Sequence, residues 1–118
     1  MPATAKTLQV NGKEIATDNE GYMLDPSEWS EDVALQIAQD EGLEMTQERW
    51  VVVKFVRDYY ETNHSVPEAR RALKDLATEL GEDKGTRKFL YSLFPYGYGQ
   101  QACKIAGMRK PLKLILDL

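Results

Sequence analysis

A single cysteine and a single histidine occur in this chain of 118 residues, and each scarcity removes a class of chemistry. One thiol cannot close an intramolecular disulfide, and an unpaired cysteine accords with a reducing compartment. One histidine and one cysteine cannot assemble the usual Cys/His set around a metal, so no metal and no other cofactor is expected. No apolar run reaches the roughly 18 residues that a membrane span needs, which excludes a transmembrane helix from the expectation. The opening Met1-Pro2-Ala3-Thr4-Ala5-Lys6 lacks the apolar centre of a secretory signal, so the expected location is the cytoplasm.

What is present is ordinary for a globular protein: 42% hydrophobic and 29% charged residues, in a length that suits one domain with little room for an internal substrate cavity. The charge is unevenly placed. From Lys84 onward there are seven lysines and arginines against the single acid Asp117, whereas positions 1–83 hold eight bases against 18 acids. The lone thiol, Cys103, lies in the basic part, beside Lys104 and close to Arg109. A positive field favours a thiolate and attracts anions such as a persulfide, a sulfur oxyanion or a phosphate backbone. The bland alternatives are a solvated basic face and a structural, buried thiol, since free cysteine is among the most buried residue types.

The pattern along the chain predicts an α+β domain. Thr7–Val10 and Lys13–Thr17 flank Asn11-Gly12, a dipeptide suited to the positive φ angles of a type I′ hairpin turn. A further turn at Asp18–Gly21 leads to Tyr22-Met23-Leu24, read as a third short strand, so the chain is expected to begin as a small meander. Helices follow. Ser30 caps a segment with Trp29, Val33 and Ile37 at helical spacing, ended by Gly42, and Thr46 caps a long apolar segment to Glu61. Pro67 fits the first turn of a third helix with the stripe Ala69, Ala72, Leu73, Leu76, Ala77 and Leu80, ended by Gly81. A fourth spans about Thr86 to Leu93 and stops at Pro95. A short fifth runs from Gln100 to Ala106 with Gly107 as its cap. The tail after Pro111 places leucine at every second position, a strand pattern.

Other chemistry is thinly supported. His64, in Asn63-His64-Ser65, reads as a surface residue. Phe94-Pro95-Tyr96-Gly97-Tyr98-Gly99 superficially suggests a phosphate loop, but it follows a helix and lacks the Walker lysine, so a turn is the better reading. That turn would aim the helix carrying Cys103, with Tyr96 and Tyr98 packing as a lid or stacking on a partner. Arg70, Arg71 and Lys74 lie on the polar side of the third helix. An acidic chain is a poor nucleic-acid binder unless its basic third makes one continuous patch.

Several motifs together resemble the DsrC/TusE family of sulfur-relay proteins, which includes the small gamma subunit of dissimilatory sulfite reductase. They are Asn11-Gly12-Lys13-Glu14-Ile15, Asp18-Asn19-Glu20-Gly21-Tyr22, Trp29-Ser30-Glu31, Phe55-Val56-Arg57-Asp58-Tyr59-Tyr60, Lys84-Gly85, Leu90-Tyr91, Leu93-Phe94-Pro95 and Gln101-Ala102-Cys103-Lys104-Ile105-Ala106-Gly107. The resemblance covers nearly the whole chain. It implies a short β-meander packed on about five helices, one domain over residues 1–118, with a flexible start at 1–6 and a C-terminal arm at 108–118. It also implies a cytoplasmic sulfur carrier that receives persulfide from donor proteins, such as sulfurtransferases, and passes it toward tRNA thiolation or the dissimilatory sulfite reductase. The activity expected is that of a carrier rather than free-standing turnover.

One departure from the family matters. Its reactive cysteine is usually penultimate, and matching Ile105-Ala106-Gly107 and Lys110-Pro111 places that position at Leu114, followed by Ile115 and the added Leu116-Asp117-Leu118. Cys103 corresponds to the family's second, inner cysteine, and Tyr98 and Gln100 replace the usual proline and lysine of the turn. Cys103, with Lys104 and Arg109 supporting it electrostatically, is therefore the candidate sulfur-bearing residue. A regulatory or interaction paralogue without sulfur transfer, binding a protein or a nucleic acid, is the alternative.

Overall fold

The hairpin forms where the dipeptide predicts it: β1 (Lys6–Val10) pairs antiparallel with β2 (Lys13–Thr17), Leu8 opposite Ile15, across a turn with φ of 52° at Asn11 and 80° at Gly12. Alternation then puts Leu8, Val10, Ile15 and Thr17 on the buried face and polar residues on the other. The computed structural model describes residues 6–110. Lys6, assigned to a flexible start on sequence grounds, is the first residue of β1.

The expected third strand shrinks to one bridge, Thr17 to Met23. The Asp18 carboxylate accepts hydrogen bonds from the backbone N–H groups of Glu20 and Tyr22, and this tight Asx turn uses the donors that a longer ladder would need. The chain then turns through a single 3-10 turn at Pro26–Glu28, capped by Asp25.

Four α-helices follow: α1 (Glu31–Asp40), α2 (Gln47–Asn63), α3 (Ala69–Leu80) and α4 (Arg87–Leu93). The hydroxyls of Ser30, Thr46 and Thr86 each accept from the backbone N–H three residues on, satisfying a donor that the first turn leaves orphaned. His64, read as a bland surface residue, closes α2 with φ of 57°. Pro67 does not begin α3. It lies buried one residue before the cap Glu68, so its carbonyl faces a partner elsewhere in the fold.

The core gathers Val33, Ala34 and Ile37 of α1, Val52, Val53 and Val56 of α2, Ala72 and Leu76 of α3, and Leu90 of α4 against the hairpin. Gly85 lets the start of α4 approach α3, because a Cβ there would lie 2.6 Å from Ala77 Cβ and 2.7 Å from the Leu73 carbonyl oxygen. The fifth helical element is a π-helix, Tyr98–Cys103, packed against α2. Residues 101–108 are all buried, so Met108, placed in an arm on sequence grounds, is a core residue.

Arg57 occupies a core-facing position of α2 next to Val53 and Val56. Its guanidinium donates to the carbonyls of Pro26 (2.8 Å) and Ala106 (3.3 Å), pairs with Glu61 at 2.9 Å, and lies 4.9 Å from the centre of the Trp29 ring. Replacing it by methionine (Arg57→Met) keeps volume but takes the side-chain donor from the Ala106 carbonyl, leaves the Pro26 carbonyl with only the backbone N–H of Trp29, and strands Glu61 without its partner. We expect a loss of about 3 kcal/mol or more in urea unfolding, seen as a lower midpoint at unchanged slope.

Candidate functional site

Cys103 ends the π-helix, a geometry that is rare and recurs at functional sites. Its thiol is completely buried and touches the hydroxyl of Tyr98. That hydroxyl donates to the carbonyl of Pro67 at 2.8 Å. Burial pushes the Cys103 thiol up from the ordinary 9.0 to about 12, outweighing the opposing effect of the Tyr98 hydroxyl. The Tyr98 phenol is itself raised, chiefly by burial and then by Cys103.

The surroundings hold this segment in place from three sides. Lys104 Nζ pairs with Glu41 at 2.9 Å and lies 4.9 Å from the centre of the Tyr22 ring. Gln101 donates to the same Glu41 and accepts from the backbone N–H of Tyr96. Trp29 Nε1–H donates to the Ile105 carbonyl at 2.8 Å. Gly107, at φ of 84°, closes the helix against the Trp29 ring, where a Cβ would lie 2.5 Å from Cδ1. Only glycine fits that approach.

Residues 9–115 match the model of the DsrC-like proteins. The chain belongs to that family. The DsrC-like chain is 49% identical to the sulfurtransferase TusE of Escherichia coli K12 over 108 residues, which are 92% of this chain and 99% of that protein. Among solved structures it superposes on DsrC of Allochromatium vinosum with a TM-score of 0.82 at 44% identity, covering 92% of this chain and 96% of the other. The oxidized gamma-subunit of the dissimilatory sulfite reductase of Archaeoglobus fulgidus gives 0.83 at 31% identity, covering 91% and 97%. The hairpin and helices read from the sequence are thus the family's architecture.

In this DsrC-like chain the field expected around Cys103 is not the one found. Lys104 neighbours the thiol in sequence, but its ammonium is held by Glu41, and Arg109 Nε donates to the Leu24 carbonyl. Desolvation therefore decides the thiol's acidity, and it acts against the thiolate. The two tyrosines of the turn part ways, Tyr98 buried and Tyr96 72% exposed. Lys110 pairs with Glu20, and Lys84 lies over the Phe89 ring. Part of the basic excess thus meets acids of positions 1–83 within the fold rather than standing free for an anionic partner. Arg70 and Arg71 share Glu68 on α3, and Arg71 also covers Tyr59. Leu114 and the rest of the tail lie outside the described residues.

Sequence reasoning missed Arg57, Glu41 and Pro67, which together hold the segment around Cys103. Arg57 carried a usable signal, a charged residue at a core-facing position of an apolar helical stripe. Glu41 and the Pro67 carbonyl carried none, because their partners lie 63 and 31 residues away.

Two outcomes follow from this geometry. Native Cys103 should react with a thiol reagent at pH 8 about a hundredfold or more slowly than in the urea-unfolded chain, and unfolding stability should fall as pH rises from about 9 to about 12. The sign follows from the raised value: below pH 9 the thiol is neutral in both states, and above it the unfolded chain ionises first. Tyr22, raised by burial to about 12, adds to the same trend, and Cys103→Ser should make the pH slope shallower. Separately, Tyr98→Phe strips the Pro67 carbonyl of its donor, and urea titration should show a loss of about 1–3 kcal/mol.

Proposed function

We propose that this protein is a sulfur-relay carrier that accepts sulfane sulfur on Cys103 from a donor persulfide and passes it to an acceptor thiol. The observation that carries this reading is the 49% identity to a sulfurtransferase across 92% of the chain. The sequence adds that Cys103 is its one thiol, so any sulfur held covalently as a persulfide must sit there. A relay toward tRNA thiolation or toward a sulfite reductase is the setting suggested by the relatives, and the partners are the donor and acceptor proteins of such a relay.

The step balances without an outside oxidant or reductant. The Cys103 thiolate attacks the outer sulfur of the donor persulfide, a new S–S bond forms as the donor's S–S bond breaks, and the donor leaves as a thiolate. The acceptor thiolate then attacks the outer sulfur of the Cys103 persulfide, and Cys103 leaves as a thiolate in turn.

Burial sets a condition on this chemistry. A donor sulfur must reach Sγ in line with the bond it breaks, and the thiol must lose its proton. Both require the 98–108 segment to lift from α2, with the Tyr98 to Pro67 and Lys104 to Glu41 contacts breaking. Once lifted, the thiol regains its ordinary acidity and supplies a few per cent of thiolate near neutral pH. Gating of this kind protects a carried persulfide from stray thiols, because the closed state covers it.

The reading is tested by incubating the purified chain with a cysteine desulfurase and its substrate, then measuring intact mass. The expected result is one added sulfur atom, absent in Cys103→Ser and released by a competing thiol. No addition, or addition indifferent to Cys103→Ser, would sink the proposal and leave the fold as a docking module.

A further inference from the structure

Along the margin of the core face of α2, a groove of about 860 Å³ runs between α1, α2 and α3. Its floor is apolar: Trp50, Val51 and Phe55 are half-buried there, and Leu35 of α1 is 47% exposed. Its rim is acidic. Glu31 is matched by Lys54 at 2.7 Å, but Asp58, Asp75 and Glu79 enter none of the ion pairs formed among the described residues. The half-buried Asp75 carboxyl is raised, first by burial and then by the like charges of Glu79 and Asp58. A cation brought to this rim would relieve that repulsion. Among the described residues no three such groups converge closely enough to hold a metal ion, so the matching charges must be spread along a ligand.

We propose that this groove is a docking site for a cationic amphipathic helix of a partner protein. The walls are three helices, whose backbone groups are already paired, so an extended peptide would find no sheet edge to bond with. A helix pairs its own backbone and needs only apolar anchors at i, i+3, i+4 and i+7 for the floor, with lysines or arginines flanking them for the rim. The groove uses positions 50, 51, 54, 55 and 58 of α2, whereas the core uses 52, 53, 56 and 57. Occupancy therefore does not require Cys103 to move, and the proposal does not rest on sulfur transfer.

The test uses a fluorescent synthetic peptide of about 15 residues with leucine at those anchor spacings and lysine between them, titrated with the full chain. Saturable binding is expected, weakened by salt and weakened about tenfold in the combined variant Asp58→Asn, Asp75→Asn, Glu79→Gln, the effect of three partly screened charge pairs. Leu35→Ser should weaken it too, through the floor, and a peptide with glutamate in place of lysine should not bind. Neutralising three mutually repelling acids should not unfold the chain, and sulfur acceptance on Cys103 should be unchanged. No saturable binding up to about 1 mM peptide, or equal binding by the wild type and the combined variant, would overturn the proposal. So would a dimer in sedimentation that dissolves in the combined variant, because a second copy would then be the groove's occupant.

Discussion

The arrangement around Cys103 depends on a buried cation. Arg57 reaches from the centre of α2 to the carbonyl of Pro26, in the turn before α1, and to that of Ala106, in the segment that follows the π-helix. Those two carbonyls are 80 residues apart in the chain, and a guanidinium can serve both because its donors fan out in one rigid plane. Trp29 lies over the same group and donates its own N–H to Ile105, so one aromatic ring and one cation together seat the segment that follows the π-helix. Glu61 partly neutralises the charge from the solvent side. A lysine could not replace this geometry, since its ammonium is a point charge without the planar fork.

Seating the segment this way has a chemical cost for the thiol. The contacts that hold residues 101–108 inside also remove water from Cys103, and desolvation outweighs any attraction from nearby cations. Under the proposed relay, exchange on Cys103 waits on a local opening that breaks, among other contacts, a neutral hydrogen bond to Pro67 and a largely buried ion pair to Glu41. The uneven charge of the chain takes on a structural meaning here. Lys104 and Lys110, from the basic third, find their acids at Glu41 and Glu20 in the acidic part.

Local rules carried the reading of the fold a long way. Asn11-Gly12, the hydroxyl caps Ser30 and Thr46, and the spacing of small and apolar residues in α1 to α4 each act within a few residues, so they are visible in one dimension. Errors came where a side chain claimed the backbone first or where distant groups decided. The Tyr22–Leu24 run has strand-like residues, but the Asp18 turn used the donors it needed. Pro67 suits a helix start, yet its carbonyl is held by Tyr98 across the core. Around Cys103 the sequence placed cations beside the thiol, and the fold led them elsewhere.

By itself, then, the sequence determined the family, the α+β class, the helix boundaries to within a few residues, and the fact that a single thiol is available. Motif spacing and capping are properties of neighbouring residues, and they survive without coordinates. Whether that thiol is open or closed, acidic or not, was decided only by tertiary structure. Burial depends on which surfaces meet, and the acidity of Cys103 depends on solvent removed by the packing of its helix on α2, which is distant from it in the chain.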